Sequence, residues 1–182
     1  MKVLILIAAF LVPFAILAKK KSDVEYKEVE MFEGNVQLKV PSAFQLLPET
    51  QLSKYYEGQP KTKVAYVNDE KSIRIGFGSE SLLVDDRSLP AVTNLIEKWL
   101  KNKHPKTKWK TKEVTEVDGH KVGYIEFIKK KPEKYYEMVF FTLYRGQMLH
   151  CTFHAPKKGY KPWKTVSHEI MQSLKLRMPE KE

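Results

Sequence analysis

The chain has 182 residues, 32 basic and 22 acidic, and a formal net charge of +10 at neutral pH. Its single cysteine, Cys151, excludes an internal disulfide framework. Only four of the basic residues are arginines, and lysine lacks the planar fork that reads phosphates in nucleic acid. The composition therefore argues against a nucleic-acid partner. It leaves an anionic surface, or simply a solvated lysine-rich exterior, to account for the charge.

The first 18 residues have the pattern of a secretory signal peptide. Lys2 supplies the positive start, residues 3–17 are an uninterrupted apolar run, and Ala18 precedes Lys19 as the expected cleavage position. An uncleaved membrane anchor is the alternative, but the run is shorter than the roughly 20 residues that a spanning helix needs. The sequence therefore predicts export to the periplasm or the extracellular space, with the mature protein at most peripheral to the membrane.

The mature chain is expected to form one domain. Residues 19–28 are charged and unpatterned and are predicted to be a flexible tether, the domain spans residues 29–176, and residues 177–182 are a tail. A domain of this length can bury roughly 70% of the surface of its unfolded chain. Its first half is predicted to contain four short strands, at residues 29–32, 36–40, 64–67 and 72–77. A short helix is predicted between the second and third of these strands, at residues 48–56.

Two amphipathic helices are predicted, at residues 88–104 and 161–176. Pro90 in the first turn and Pro105 after the last delimit the earlier helix. Its apolar stripe, at 3.6-residue spacing, comprises Leu89, Val92, Leu95, Ile96, Trp99 and Leu100. The inward side chains of the later helix are Trp163, Val166, Ile170 and Leu174. Each stripe needs a sheet face on which to lie, which predicts one helix layer on each side of a sheet.

The pair Asp118-Gly119 is a strong signal for a two-residue turn, and it joins two strands predicted over residues 108–129. Regular pairing across this turn would place Lys108 opposite Lys129. The open end of the hairpin then collects a cluster of lysines: Lys106, Lys108, Lys129, Lys130 and Lys131.

This cluster has two interpretations. Like charges that face each other destabilise a sheet, so a bound anion or an anionic envelope surface would relieve the repulsion. Lysines along a sheet edge also prevent strand-to-strand aggregation without binding anything. The sequence leaves open whether the five lysines form an anion-binding edge or a solubilising one.

The most apolar part of the predicted domain is a second hairpin over residues 134–155, with Arg145-Gly146 as its two-residue turn. Its first strand is apolar on both faces, as expected inside a sheet that is covered on both sides. One face of the hairpin is apolar and includes Phe140 and Cys151, so we expect Cys151 to be buried and chemically inert.

The other face of this hairpin is mixed. Pairing Tyr144 with Gln147 places Glu137 opposite His154 and Phe141 opposite His150, and these last four side chains are the predicted lining of any pocket. A carboxylate across from an imidazole favours the charged ring, so we expect the pKa of His154 to lie above about 6.5. Apolar neighbours should instead lower the pKa of His150.

The order of these elements, the segment Val36-Gln-Leu-Lys-Val-Pro and the closing Ser173-Leu-Lys-Leu resemble the PsbP/DcrB-like superfamily. That superfamily includes exported bacterial proteins and the lumenal photosystem subunit for which it is named. The resemblance covers residues 29–176. It implies an α+β fold in which helices flank both faces of an antiparallel sheet, an α/β/α sandwich. It also implies an accessory or binding role without catalysis, and it transfers no site residues.

No catalytic, cofactor-binding or metal-binding residues are predicted. The chain has no Gly-x-Ser-x-Gly elbow, and His150 and His154 would lie about 13 Å apart along one strand, too far to share a metal ion. The sequence favours an exported, non-catalytic accessory or binding domain that engages a protein partner or an envelope component. The alternative is a carrier of a small apolar or anionic ligand held between sheet and helix. A deep pocket would favour the carrier, and a flat apolar patch the partner-binding domain.

Export is expected to remove the signal peptide. Intact-mass spectrometry of the periplasmic or secreted protein should then find a chain that was cleaved near Ala18. A full-length chain retained in the membrane fraction would instead support the anchor.

Overall fold

The computed structural model describes residues 23–56, 61–81, 88–130 and 133–177. The predicted signal peptide, Lys131 and the chain after residue 177 lie outside these ranges. None of the helices in the described ranges has the length and apolarity needed to cross a membrane.

Ten strands and three helices lie within the described residues. The strands are β1 (Tyr26–Met31), β2 (Val36–Pro41), β3 (Gln45–Leu46), β4 (Thr62–Val67), β5 (Arg74–Ser81), β6 (Lys108–Val117), β7 (His120–Lys129), β8 (Tyr135–Tyr144), β9 (Gln147–Pro156) and β10 (Lys175–Leu176). The helices are α1 (Glu49–Tyr56), α2 (Leu89–Lys103) and α3 (Tyr160–Gln172). Seven strands form one antiparallel sheet in the order β3-β4-β5-β9-β8-β7-β6, and β1-β2-β10 form a smaller one.

The large sheet is covered on both faces, as the apolar character of β8 predicts. On one face, Phe140, Cys151 and their neighbours form the main core together with α3 and the small sheet. On the other face, Phe141 and Ile125 pack against α2. The predicted α+β arrangement, with a helix layer on each side of an antiparallel sheet, is confirmed.

Two-residue turns set the register of both long hairpins. Arg145 and Gly146 have φ angles of 50° and 68°, and Asp118 and Gly119 of 49° and 76°. Two successive residues with positive φ make a turn whose twist matches that of the flanking strands. The predicted pairing of β8 with β9 is confirmed along its length.

The predicted pairing of Lys108 with Lys129 is wrong. The first residues after the turn pair as expected, but the register shifts between Trp109 and Thr111, and Lys108 lies opposite Ile128. A β-bulge inserts one residue into a strand and displaces everything beyond it. Counting from the turn cannot reveal such an insertion, so the prediction failed at the far end of the hairpin.

Several element boundaries also differ from the prediction, as the start of β1 and the end of α3 illustrate. β1 begins at Tyr26, inside the segment predicted as a tether. The last helix ends at Gln172 rather than continuing to residue 176, because Ser173 ends it and the following residues pair with β2 as β10. The Ser173 hydroxyl donates to the carbonyl of Ile170 and accepts from the backbone N–H of Lys39. Such side-chain bonds to the backbone compete with helix continuation.

Cys151 is buried, as predicted. Burial raises the pKa of its thiol well above the usual value, so the reactive thiolate does not form near neutral pH.

Candidate functional site

A groove lies between α2 and the mixed face of the large sheet, and its cavity has a volume of about 450 Å³. We call it the α2 groove. Its apolar side is formed by Leu95, Ile96 and Trp99 of α2 together with Val139, Phe141 and Met148 of the sheet. Its polar side is formed by Glu80, Glu137, His150 and Thr152. Three of the four predicted pocket residues, Glu137, Phe141 and His150, line this groove, whereas His154 lies beside it.

The apolar stripe of α2 is only partly covered. Leu89, Val92 and Leu100 are buried, but Leu95 is 66% exposed and Trp99 is 44% exposed, so their predicted burial is wrong. Among the described residues, the other large hydrophobic side chain exposed to this degree is Leu46.

The position of α2 explains this exposure. A Cβ on Gly123 of β7 would lie 2.6 Å from the Thr93 hydroxyl, so the glycine is what allows the helix to approach β7 closely. On the β6 side, the ammonium group of Lys112 lies 2.8 Å from the Glu97 carboxylate and 2.9 Å from the Asn94 side-chain oxygen. These contacts hold α2 over β6 and β7. Its opposite edge therefore overhangs β8 and β9 and leaves the groove open.

Two glycines of β5 let aromatic side chains lie against the strand. A Cβ at Gly78 would be 2.5 Å from the ring of His150 and 2.2 Å from the backbone oxygen of Lys61. A Cβ at Gly76 would be 2.5 Å from the ring of Tyr56. These close approaches could not be predicted from the sequence, because they depend on rings that come from other elements.

His150 is buried without a hydrogen-bond partner. Its exposed fraction is 6%, and within the described part of the chain neither ring nitrogen makes a hydrogen bond. The nearby Tyr56 hydroxyl is also buried and unpartnered there. Burial lowers the pKa of His150, as predicted, so the ring is neutral near pH 7 and carries one donor and one acceptor. Unpaired buried polar groups are rare in native proteins, and each of them calls for a partner.

The predicted rise in the pKa of His154 is wrong. Its Nδ1 lies 3.9 Å from the Glu137 carboxylate, in the register predicted. Burial nevertheless lowers the pKa of His154, with Arg74 across the strand pair adding to the effect, and the carboxylate does not compensate. The prediction counted the carboxylate but not the desolvation of the ring.

A smaller cavity of about 180 Å³ adjoins the C-terminal end of α2. We call it the lysine cavity; it is lined by Lys103, His104, Pro105, Lys106, Thr107, Lys129 and Lys130. Of the five predicted lysines, the fold thus brings Lys106, Lys129 and Lys130 together. Lys108 lies on β6 away from the lining, and Lys131 is outside the described residues.

The lysine cavity has two features that the sequence did not predict. Lys103 joins it from α2, because the last turn of that helix lies over the end of β7. Burial lowers the pKa of Lys129, and the hydroxyl of Thr107 is buried with no hydrogen-bond partner among the described residues. The cavity is therefore basic and contains a free hydrogen-bonding group.

A second polar cluster lies on the opposite face of the sheet, beside α3. Glu126 of β7 is fully buried. Its carboxylate accepts hydrogen bonds from the Tyr136 hydroxyl at 2.9 Å and the Lys164 ammonium at 2.6 Å, and lies 2.6 Å from Nε2 of His168. Burial alone would raise the pKa of Glu126, but the bonds from His168, Lys164 and Tyr136 outweigh it and lower the pKa from 4.5 to about 2.

Because its buried carboxylate is fully partnered, this cluster fastens α3 to the sheet and needs no ligand. This Glu126 cluster was not predicted from the sequence. The available signal was one glutamate within the apolar run of β7, together with Lys164 and His168 spaced four residues apart on a helix.

Within the described residues, no group of three or more His, Cys, Asp or Glu side chains is placed to hold a metal ion.

The depressed pKa of Glu126 should make stability depend on acidity. A carboxylate whose pKa is lower in the folded state stabilises the fold above its unfolded pKa and loses that contribution as the pH falls through the folded value. We expect the free energy of unfolding to fall by about 3 kcal/mol from this group between about pH 5 and pH 2. Urea denaturation of the wild type and Glu126→Gln should show a shallower acid slope in the variant. Glu116→Gln, which changes an exposed glutamate, is the control. Equal acid slopes for the wild type and for Glu126→Gln would contradict this prediction.

Replacing His150 should stabilise the protein. An unpartnered buried polar group costs about 1–3 kcal/mol, so His150→Leu should raise the free energy of unfolding by roughly 1 kcal/mol. His168→Leu is the matched control, and it should destabilise the protein because His168 is partnered by Glu126. Thermal and chemical denaturation measure both variants. Equal destabilisation by the two substitutions would mean that His150 is satisfied in the folded protein.

Similar folds occur among solved structures. The chain matches cyanobacterial PsbP (CyanoP) from Synechocystis sp. PCC 6803 with a TM-score of 0.64 and 10% identity, over 88% of this chain and 95% of that one. It matches PA94 of Pseudomonas aeruginosa, a protein of unknown function, with a TM-score of 0.50 and 13% identity, over 84% and 98% of the two chains. It matches LpqN of Mycobacterium tuberculosis, involved in cell envelope biogenesis, with a TM-score of 0.50 and 11% identity, over 86% and 92%.

Neither a family model nor a curated protein sequence matches the chain. At these identities the likeness to solved structures is a likeness of fold. The resemblance predicted from the order of the elements is thereby confirmed: the chain has the PsbP-like fold.

Proposed function

We propose that this protein is an exported binding domain of the cell envelope and that it holds the apolar body of a small ligand in the α2 groove. One observation carries the proposal: two exposed apolar side chains, Leu95 and Trp99, overhang a cavity in which His150 is buried without a hydrogen-bond partner among the described residues. The proposal assigns no catalytic step to the protein.

The chemistry of the groove indicates what it would accept. Burying an exposed apolar side chain is favourable by about 25 cal/mol per Å² of area removed from water, which makes the α2 side attractive to an apolar body. The neutral ring of His150 offers one donor and one acceptor on the opposite side. A ligand with an apolar body and one hydrogen-bonding group would satisfy both sides of the groove.

The shape of the groove supports a small ligand over a protein partner. Its volume of about 450 Å³ lies within the range of roughly 300–1,000 Å³ usual for ligand sites. A partner-binding surface would be flatter and would place its apolar residues in one continuous patch. The involvement of LpqN, a protein of similar fold, in cell envelope biogenesis supports the envelope setting, as does the predicted signal peptide.

A direct test uses phenylnaphthylamine, an uncharged apolar dye that fluoresces when it is removed from water. It should bind the purified exported protein, and Leu95→Ala and Trp99→Ala should each weaken binding, the latter by on the order of tenfold because the indole contributes the larger contact area. Leu46→Ala, which removes an equally exposed leucine on β3, is the matched control and should leave affinity unchanged.

Two results would contradict the proposed function. One is the absence of saturable dye binding to the folded protein. The other is binding that is weakened equally by Leu46→Ala and by the two substitutions on α2, since the dye would then be reporting general surface hydrophobicity.

A further inference from the structure

We propose that the ligand of the α2 groove is an anionic amphiphile, whose phosphate or carboxylate headgroup lies in the lysine cavity while its apolar body lies in the groove. This inference rests on the proposed function and adds the headgroup to it.

The two cavities adjoin each other. Lys103 and His104 line both of them. The ammonium group of Lys103 lies 4.7 Å from the centre of the Trp99 ring, so a cation stands at the junction beside the apolar wall of the groove. A single molecule with an apolar part and an adjoining anionic part would therefore meet matching surfaces on both sides of this junction.

Among the described residues, no carboxylate lines the lysine cavity. Lys103, Lys106, Lys129 and Lys130 approach one another there, and half-buried Lys129 has the Tyr135 ring for a neighbour, 5.2 Å from its ammonium group. The acidic group that acts on Lys129 is Glu137, which belongs to the groove rather than to the cavity. Gathering like charges without a counter-charge is unfavourable, and an anion in the cavity would remove that penalty.

The hydroxyl of Thr107 is an independent indication of a ligand in the cavity. It is buried and has no hydrogen-bond partner among the described residues, although it belongs to the lining of a cavity to which four lysines contribute. A headgroup oxygen would accept a hydrogen bond from this hydroxyl while the lysines neutralise its charge. The described residues of the cavity lining include lysines but no arginine, which suits an anion held by charge rather than by a bidentate fork.

A matched pair of dyes isolates the contribution of the headgroup. Anilinonaphthalene sulfonate has the same apolar body as phenylnaphthylamine and carries one additional sulfonate. We expect the anionic dye to bind more tightly, with a preference that decreases as salt is added. The double variant Lys106→Gln/Lys130→Gln, which changes two lysines that line the lysine cavity but not the α2 groove, should reduce the affinity for the anionic dye on the order of tenfold and leave the uncharged dye unaffected. Lys121→Gln/Lys175→Gln, which changes two exposed lysines elsewhere, is the control.

A second variant separates a loss of dye binding from a loss of the fold. Thr107→Val removes only the unpartnered hydroxyl, so the fold should be retained while the affinity for the anionic dye falls severalfold. Equal affinity for the two dyes, or a preference that survives both the lysine and the threonine substitutions, would overturn the inference. If the uncharged dye binds normally in that case, the proposed function stands and only the headgroup assignment fails.

Displacement distinguishes an amphiphile from a free anion. Dodecyl phosphate, used below its micelle concentration, should displace the anionic dye at far lower concentration than inorganic phosphate does, because its chain also occupies the groove. Equal potency of the two competitors would mean that the lysine cavity binds free anions, and it would overturn the assignment of an amphiphile.

Discussion

The register of β8 against β9 is the constraint on which both faces of the large sheet depend. A shift of one residue would exchange the faces, because side chains alternate along a strand. The turn at Arg145-Gly146, with positive φ at both residues, fixes this register. Phe140 is thereby assigned to the main core, and Phe141 and His150 are assigned to the α2 side.

The two faces of the large sheet differ in whether their buried polar groups have hydrogen-bond partners. On the α3 side, Glu126 is buried with three hydrogen-bonded neighbours, and the cluster serves as a fastening between helix and sheet. On the α2 side, His150 is buried with no partner among the described residues, next to a cavity and below an exposed apolar helix edge. Folding stability accounts for the first arrangement but not for the second. An unsatisfied buried group calls for an explanation, and the ligand proposed for the α2 groove would supply one.

Local signals were sufficient for much of the fold. Helix periodicity and two-residue turns predicted α2, the long hairpins and the pairing of Phe141 with His150. What failed depends on contacts between distant segments. The bulge before Thr111 displaced Lys108, the close approach of α2 to Gly123 left Leu95 exposed, and desolvation reversed the expected pKa of His154. Three of the five predicted lysines, Lys106, Lys129 and Lys130, line the lysine cavity, whereas the contribution of α2 to that cavity depends on how the helix packs on the sheet and could not be predicted from the sequence.

The proposed binding site requires that the buried imidazole of His150 contacts the ligand of the α2 groove. Nitrogen NMR of the histidine rings, recorded with and without saturating phenylnaphthylamine, tests this claim without any substitution. We expect the His150 ring to be neutral near pH 7 in the free protein. We also expect the resonances of its ring nitrogens to shift when the dye binds. The resonances of His168, on the opposite face of the sheet, should remain in place. Unchanged His150 resonances at saturation would show that the dye binds elsewhere, and would contradict the assignment of this groove as the binding site.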